Sequence, residues 1–209
     1  MTESTTILVV TLLGGGDDAG WLHEFVGDVP CRVLPVSERG LEDEIRAALR
    51  ESPGITRAVV AIDQRFMGFF AKRAIDTLLE RNISLPTLVH PRAFVAADVT
   101  LGEGARVAAE AVLSTGCCVG VHARVLERAV LARNCRLGAF STVDPGTLLG
   151  EGVTVGSHCW LRAGLVVEPR SSIGNSVELG PSGVARGHIP DGTLHMVGLD
   201  APARIHRFC

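Results

Sequence analysis

Leu101-Gly-Glu-Gly-Ala-Arg-Val107-Ala-Ala-Glu-Ala-Val-Leu113-Ser-Thr-Gly-Cys-Cys-Val119 places an aliphatic residue at every sixth position. Followed outward, the beat begins at Val89 and ends at Leu179, sixteen aliphatics in unbroken register. Helices repeat every 3.6 residues and strands every two, so neither calls for a period of six. Two residues before the beat the side chain is small, as at Ala105, Ala111, Cys117, Ala123, Cys135, Ser141 and Cys159. Directly after it glycine recurs, as at Gly102, Gly120, Gly138, Gly156 and Gly174. A solenoid of short flat sides accounts for all three features: the aliphatic fills a narrow core, the small residue lets the chain turn, and glycine relaxes the corner. Three sides per coil predict about five coils, each burying its core against its neighbours.

The residues before the beat have a different rhythm. The β-branched run Thr6 to Thr11 leads into Gly14-Gly15-Gly16-Asp17-Asp18, followed by an expected helix at Trp21 to Val26 and a strand at Cys31 to Val36. Leu41, Ile45, Ala48 and Leu49 have helical spacing, and Glu42, Asp43 and Glu44 suit the positive end of that helix. Ala58 to Ile62 reads as a buried strand and Phe69 to Arg81 as a further amphipathic helix. Alternating strands and helices predict a small α/β unit with a Rossmann-like parallel sheet. The expected domains are residues 1–86 (α/β), 87–183 (left-handed parallel β-helix of hexapeptide repeats) and 184–209 (a C-terminal segment).

A net charge of −3 with no Lys/Arg run argues against nucleic acid as a partner. No apolar stretch approaches the length of a membrane span, and the polar start carries no basic leader, so a cytoplasmic protein is expected. Cys117, Cys135 and Cys159 fall at the small position of the repeat and read as inward-facing hydrophobes in a reducing compartment. Cys117-Cys118 lacks the spacing of a zinc or redox motif, and the histidines fit no metal motif, so no metal is expected.

The beat, together with Val89-His90-Pro91 and Val197-Gly198-Leu199-Asp200-Ala201-Pro202-Ala203, resembles the hexapeptide-repeat sugar acyltransferases of sialic-acid O-acetylation and bacillosamine-precursor N-acetylation. The resemblance implies acetyl-CoA or another acyl-CoA as co-substrate, bound along the β-helix between subunits of a homotrimer. It also implies a small-molecule acceptor, a sugar or nucleotide sugar, held by the small domain. Gly14, Gly15, Gly16 and Asp63 fall where that family holds the acceptor, and Arg162, Gly164, Gly180 and Arg186 where the coenzyme is expected. Arg186 reads equally as a partner for coenzyme phosphate or as a surface charge.

The site residues depart from the family pattern. Gly14-Gly15-Gly16-Asp17-Asp18 lacks the histidine of the family's Gly-x-Gly-Gly-His-Gly loop, and a structural turn explains the glycines as well as a ligand loop does. The family's base is a histidine in a segment like Val-Ile-Glu-His-Glu-Cys-x-Ile-Gly; here the segment is Val130-Leu131-Ala132-Arg133-Asn134-Cys135-Arg136-Leu137-Gly138. Arg133 stands at the histidine and Asn134 at the acid that orients it, while a second family histidine is Thr142. Arginine stays protonated and accepts no proton.

With eighteen residues per coil, His122, Phe140 and His158 stack in one corner column, the two histidines about 10 Å apart. Each reads either as a relocated base or as a polar turn residue. Arg133 stacks between Thr115 and Glu151, and Asp144 before Pro145-Gly146 reads first as a turn former. The candidate catalytic residues are thus His122, His158, Arg133 and Asn134. The expected activity is N- or O-acyl transfer. The alternative is a divergent homologue that binds a metabolite or partner, or runs another reaction on the same scaffold.

Overall fold

The computed structural model describes residues 6–13, 19–62, 64, 68–196 and 203–204. The chain divides into two compact units, residues 1–88 and 89–209.

In the first unit, β1 (Ile7–Leu12), β2 (Cys31–Val36) and β3 (Arg57–Ala61) form a parallel sheet of order β2-β1-β3. The central strand is buried at every position, which explains its unbroken apolar run. The expected helix at Trp21 to Val26 is a 3-10 turn, Ala19–Leu22, running into α1 (His23–Val26). α2 (Leu41–Glu51) presents Leu41, Ile45 and Ala48 to the core. Glu44 reaches back to Ser37, accepting from its backbone N–H at 3.0 Å and its hydroxyl at 2.6 Å, and so fixes the helix start. Arg73 on α3 (Phe69–Leu79) clamps Glu42 with two bonds of 2.5 and 2.6 Å, holding that carboxyl below its usual range. Gly14, Gly15, Gly16 and Asp63, the expected acceptor positions, lie outside the described residues.

The second unit is a left-handed parallel β-helix of three flat faces. Parallel ladders join each side to the sides one coil before and after it. On the first face Val107, Val125, Val143 and Leu161 stack. On the second, Leu113, Leu131 and Leu149 stack, and on the third Val119, Leu137 and Val155. All these beat residues are buried in one continuous core with Ala105, Cys117, Ala123, Cys135 and Cys159. The corners explain how three sides close in eighteen residues. From Gly104 onward they turn through residues in the left-handed region, such as Gly116 and Asn134, Glu110 and Arg128, or His122 and Phe140. Flat sides joined by tight corners permit the left-handed winding, because the right-handed rule concerns twisted strands joined by long crossovers.

The beat stops at Leu179 but the winding continues. The strand Gly183–Ala185 pairs with Leu165–Val167 at the usual offset, whereas Ser172 then pairs with His188 and Glu178 with Leu194, sixteen residues on. The last corner between the second and third faces is two residues shorter and turns at Gly187, φ 73°. Residues set apart as a C-terminal segment from 184 therefore complete a final coil as far as Met196.

Because alternate residues of a strand point to opposite sides, each face carries an outward column one residue before the beat. The second face shows Phe94, Val112, Val130, Leu148, Val166 and Val184, every one apolar. The third shows Thr100, Cys118, Arg136, Thr154, Ser172 and His188. The first shows Arg106, Arg124, Thr142, Trp160 and Glu178.

Candidate active site

The four candidate catalytic residues occupy two corner columns on opposite edges of the third face. His122, Phe140 and His158 form one of them, as the coil arithmetic requires. Phe140 lies 5.8 Å from the His122 ring and 5.0 Å from that of His158, nearly parallel to the latter at 4°. Arg133 and Asn134 lie in the other. Arg133 Nη2 is 3.6 Å from Glu151 Oε2 with both side chains more than half exposed, an arrangement worth little energetically. Asn134 adopts φ 60°, and its side-chain oxygen fills the space over Gly116 that a Cβ there would need. No single constellation joins the four within one chain.

The two histidines differ in environment. His158 is half-buried on its Phe140 stack. His122 is 7 % exposed, bonds to the Gly104 backbone, and has its Nε2 buried without a hydrogen-bond partner. Burial, followed by the nearby Arg124 and Arg106 guanidiniums, pushes its pKa down to about 3. His122 is therefore a sealed, neutral imidazole at physiological pH. The unfolded chain binds a proton here below about pH 6.5 and the folded chain does not until about pH 3. Its contribution to stability is accordingly complete above pH 6.5 and lost as the pH falls through that window, at about 1.4 kcal/mol per pH unit. His122→Asn, which tolerates the positive φ, is expected to flatten the decline in urea midpoint between pH 6.5 and 4; an unchanged slope would place the acid sensitivity elsewhere.

Cys117, Cys135 and Cys159 are withheld from chemistry for a physical reason. Cys117, Cys135 and Cys159 are fully buried and donate to carbonyls of the next coil at 3.1, 3.2 and 2.9 Å. Burial pushes Cys135 and Cys159 to about 11, so both stay protonated thiols.

The coenzyme candidates fall in two groups. Gly180, φ 141°, lies directly against Arg162, and any Cβ there would overlap the arginine stem. Gly164 turns a corner at φ 71°. Gly180 and Arg186 also border a cavity of about 680 Å³ beside the last coil, whose walls include Leu165, Leu179, Ile189 and Met196. Arg186 is exposed at this cavity. Apolar walls with a cation suit an anionic ligand that has an apolar chain.

The first face holds a polar network that a single-residue scan of the sequence misses. Trp160 Nε1 donates to Asp144 Oδ2 at 3.0 Å, the Arg162 guanidinium lies 3.9 Å over the Trp160 ring, and Arg162 Nε donates to Glu178 Oε1 at 2.9 Å. Arg124 Nε donates to Thr142 Oγ1 at 3.1 Å in the same ladder. Reading every third beat as one column was the signal that would have assembled it. Among the described residues, no group of three or more His, Cys, Asp or Glu side chains is arranged to hold a metal ion, and no helix is long and apolar enough to cross a membrane.

Residues 79–183 match the family model described as the GMPPB C-terminal domain. No curated protein sequence matches the chain. Among solved structures, PerB from Caulobacter crescentus, in complex with CoA and GDP-perosamine, is 30% identical over 90% of this chain and 93% of its own, with a TM-score of 0.73. A mutant of perosamine N-acetyltransferase from the same organism, a histidine changed to asparagine, also holds CoA and GDP-perosamine; it is 28% identical over 95% and 97% of the two chains, TM-score 0.75. The acetyltransferase domain of PglB from Neisseria gonorrhoeae, with acetyl coenzyme A, shares the fold at 20% identity over 95% and 98%, TM-score 0.57. With its coils, its small parallel sheet and these matches in agreement, the chain belongs to the hexapeptide-repeat sugar acyltransferases and carries across residues 79–183 the repeat domain of the GMPPB C-terminal family.

Proposed function

We propose that this protein transfers an acyl group, acetyl before any other, from acyl-CoA to the amino group of a sugar-type small molecule, with a nucleotide sugar as the preferred acceptor. The observation that carries the reading is the 30% identity, along nearly the whole chain, to a protein held with CoA and GDP-perosamine. The histidine mutants of the perosamine enzyme still hold both ligands, so binding in that protein outlasts the loss of a histidine. Arg133 stands at the family's base position and accepts no proton, which favours an amine over a hydroxyl: the amine nitrogen attacks without prior removal of a proton from its neutral form.

In this reading Gly180 and Arg186 meet the coenzyme at the cavity beside the last coil, with Arg162 and Gly164 continuing the same flank. Gly14, Gly15, Gly16 and Asp63 hold the acceptor. A homotrimer supplies the clefts, the apolar second face being the surface best suited to pack on another copy, and the cytoplasm supplies acyl-CoA. The exposed Arg133–Glu151 pair favours a second reading, a homologue that binds a metabolite without transferring an acyl group.

Isothermal calorimetry with acetyl-CoA separates the two. The transferase reading expects saturable binding, with Kd in roughly the 1 μM to 1 mM range usual for substrates. Arg186→Glu is expected to weaken it about tenfold or more, the loss of one charge-assisted contact to phosphate. Wild-type protein that takes up no heat with acetyl-CoA would leave the non-transferring homologue.

A further inference from the structure

Asp144 follows the strand Thr142–Val143 directly before a Pro145-Gly146 turn, and an aspartate there ordinarily bonds the backbone of its own turn. Its side chain does something else. Oδ2 accepts the Trp160 indole N–H at 3.0 Å, from the next coil, and among the described residues no donor reaches Oδ1. The carboxylate is half-buried, so it is both held and reachable. Arg162, lying over the Trp160 ring and bonded to Glu178, keeps the indole from turning away. The charged groups that act on Asp144 are Arg162, Arg124 and Glu178.

We propose that Asp144 is the proton acceptor of the acyl transfer and the group that selects an amine as acceptor. This assignment rests on the acyl-transfer reading above. An acceptor ammonium pairs with the free Oδ1 and releases one proton through it to solvent. The neutral nitrogen then attacks the thioester carbonyl, forming the C–N bond. Its second proton passes to Oδ1 as the C–S bond breaks, and from there to the departing thiolate, giving the amide and free CoA thiol. A hydroxyl acceptor brings no cation to pair with the carboxylate and needs a stronger base. The environment fits the role: burial raises the Asp144 pKa against the lowering effect of the Trp160 N–H, Arg162 and Arg124, moving the carboxyl toward the pH at which it works.

The test measures CoA thiol release from acetyl-CoA and GDP-perosamine between pH 5 and 9, with acetyl-CoA calorimetry on the same samples. Asp144→Asn is expected to lower kcat about 10²- to 10³-fold while leaving acetyl-CoA affinity unchanged. Asp144→Glu is expected to restore part of the rate together with the acid limb of kcat/KM. Trp160→Phe keeps the carboxylate but removes the donor that stabilises its charged form, so the acid limb is expected to move to higher pH. An Asp144→Asn enzyme within threefold of wild type, or an acid limb that ignores Trp160→Phe, overturns the proposal and spares acyl transfer. Wild-type protein that neither binds acetyl-CoA nor releases thiol overturns acyl transfer itself, and this assignment with it.

Discussion

Gly138→Val is expected to cost more stability than any other single change in the β-helix. Gly138 follows the beat residue Leu137 and packs against the corresponding position one coil on. A Cβ built there would lie 2.6 Å from the Ser157 backbone nitrogen and closer still to the Gly156 carbonyl. Those are main-chain atoms of a hydrogen-bonded coil, with Gly138 N donating to Val155 O at 2.8 Å and Gly156 N to Ile173 O at 2.8 Å, so they have nowhere to yield. Gly120 repeats the arrangement one coil earlier, 2.6 Å from the Ala139 nitrogen, so one altered coil propagates misfit to the next. Overpacking of this kind costs roughly 1–3 kcal/mol where side chains can adjust, and more where only backbone is available. A loss of about 3 kcal/mol lowers Tm by roughly 6–12 °C in a chain of this size. The matched control is Gly146→Asn, at a corner with φ 68° and no atom within 4 Å of the new Cβ, where asparagine tolerates the left-handed backbone. Differential scanning calorimetry of the two variants checks this; equal Tm values would show that the coils slide apart freely.

If the chain assembles as the proposed trimeric acyltransferase, the pair Leu148→Asp and Val166→Asp is expected to reduce it to single chains and to bring acyl transfer to background. Both residues lie in the outward column of the second face, stacked in direct register. Their neighbours run from Phe94, 61 % exposed, to Val184, 64 % exposed. A continuous apolar ladder along a whole face is far from ordinary surface and supports the proposed contact with another copy. Apart from Trp160 and Cys118, the outward columns from Arg106 to Glu178 and from Thr100 to His188 on the other two faces carry arginine, threonine, serine, glutamate and histidine, so the choice of face follows from chemistry. Two carboxylates buried in such a contact meet no partner charge and oppose association strongly. Analytical ultracentrifugation of wild type and variant gives the answer, with Thr154→Asp on the third face as the control that leaves assembly intact. A wild type that sediments as a single chain would refute the trimer.

Much of the fold was legible because the β-helix is close to one-dimensional. An inward position recurs every six residues whatever its neighbours do, so Leu113, Leu131 and Leu149 could be assigned to one core stack by counting alone. The helix at Leu41 and the strand at Ile7 were readable for the equally local reason that apolar spacing follows the period of the element. Counting failed at the last coil, where Gly187 removes two residues from a corner and shifts His188 and Leu194 into register with Ser172 and Glu178. It also gave no sign of the indole that meets Asp144 beside its turn. A turn motif is a local signal, whereas the indole that holds the carboxylate comes from sixteen residues away.

The sequence alone determined that residues 89 to 179 wind into three-sided coils, because burying one aliphatic per short side leaves no competing arrangement of comparable core. It also determined that no histidine stands at residue 133, a matter of identity that folding does not alter. Only the tertiary structure decided which bonds tie outward side chains across coils, as Trp160 to Asp144 and Arg162 to Glu178, and that His122 is sealed and neutral while His158 stays partly open. Those properties depend on lateral register and solvent exclusion, which arise when successive coils stack and are carried by no single stretch of chain.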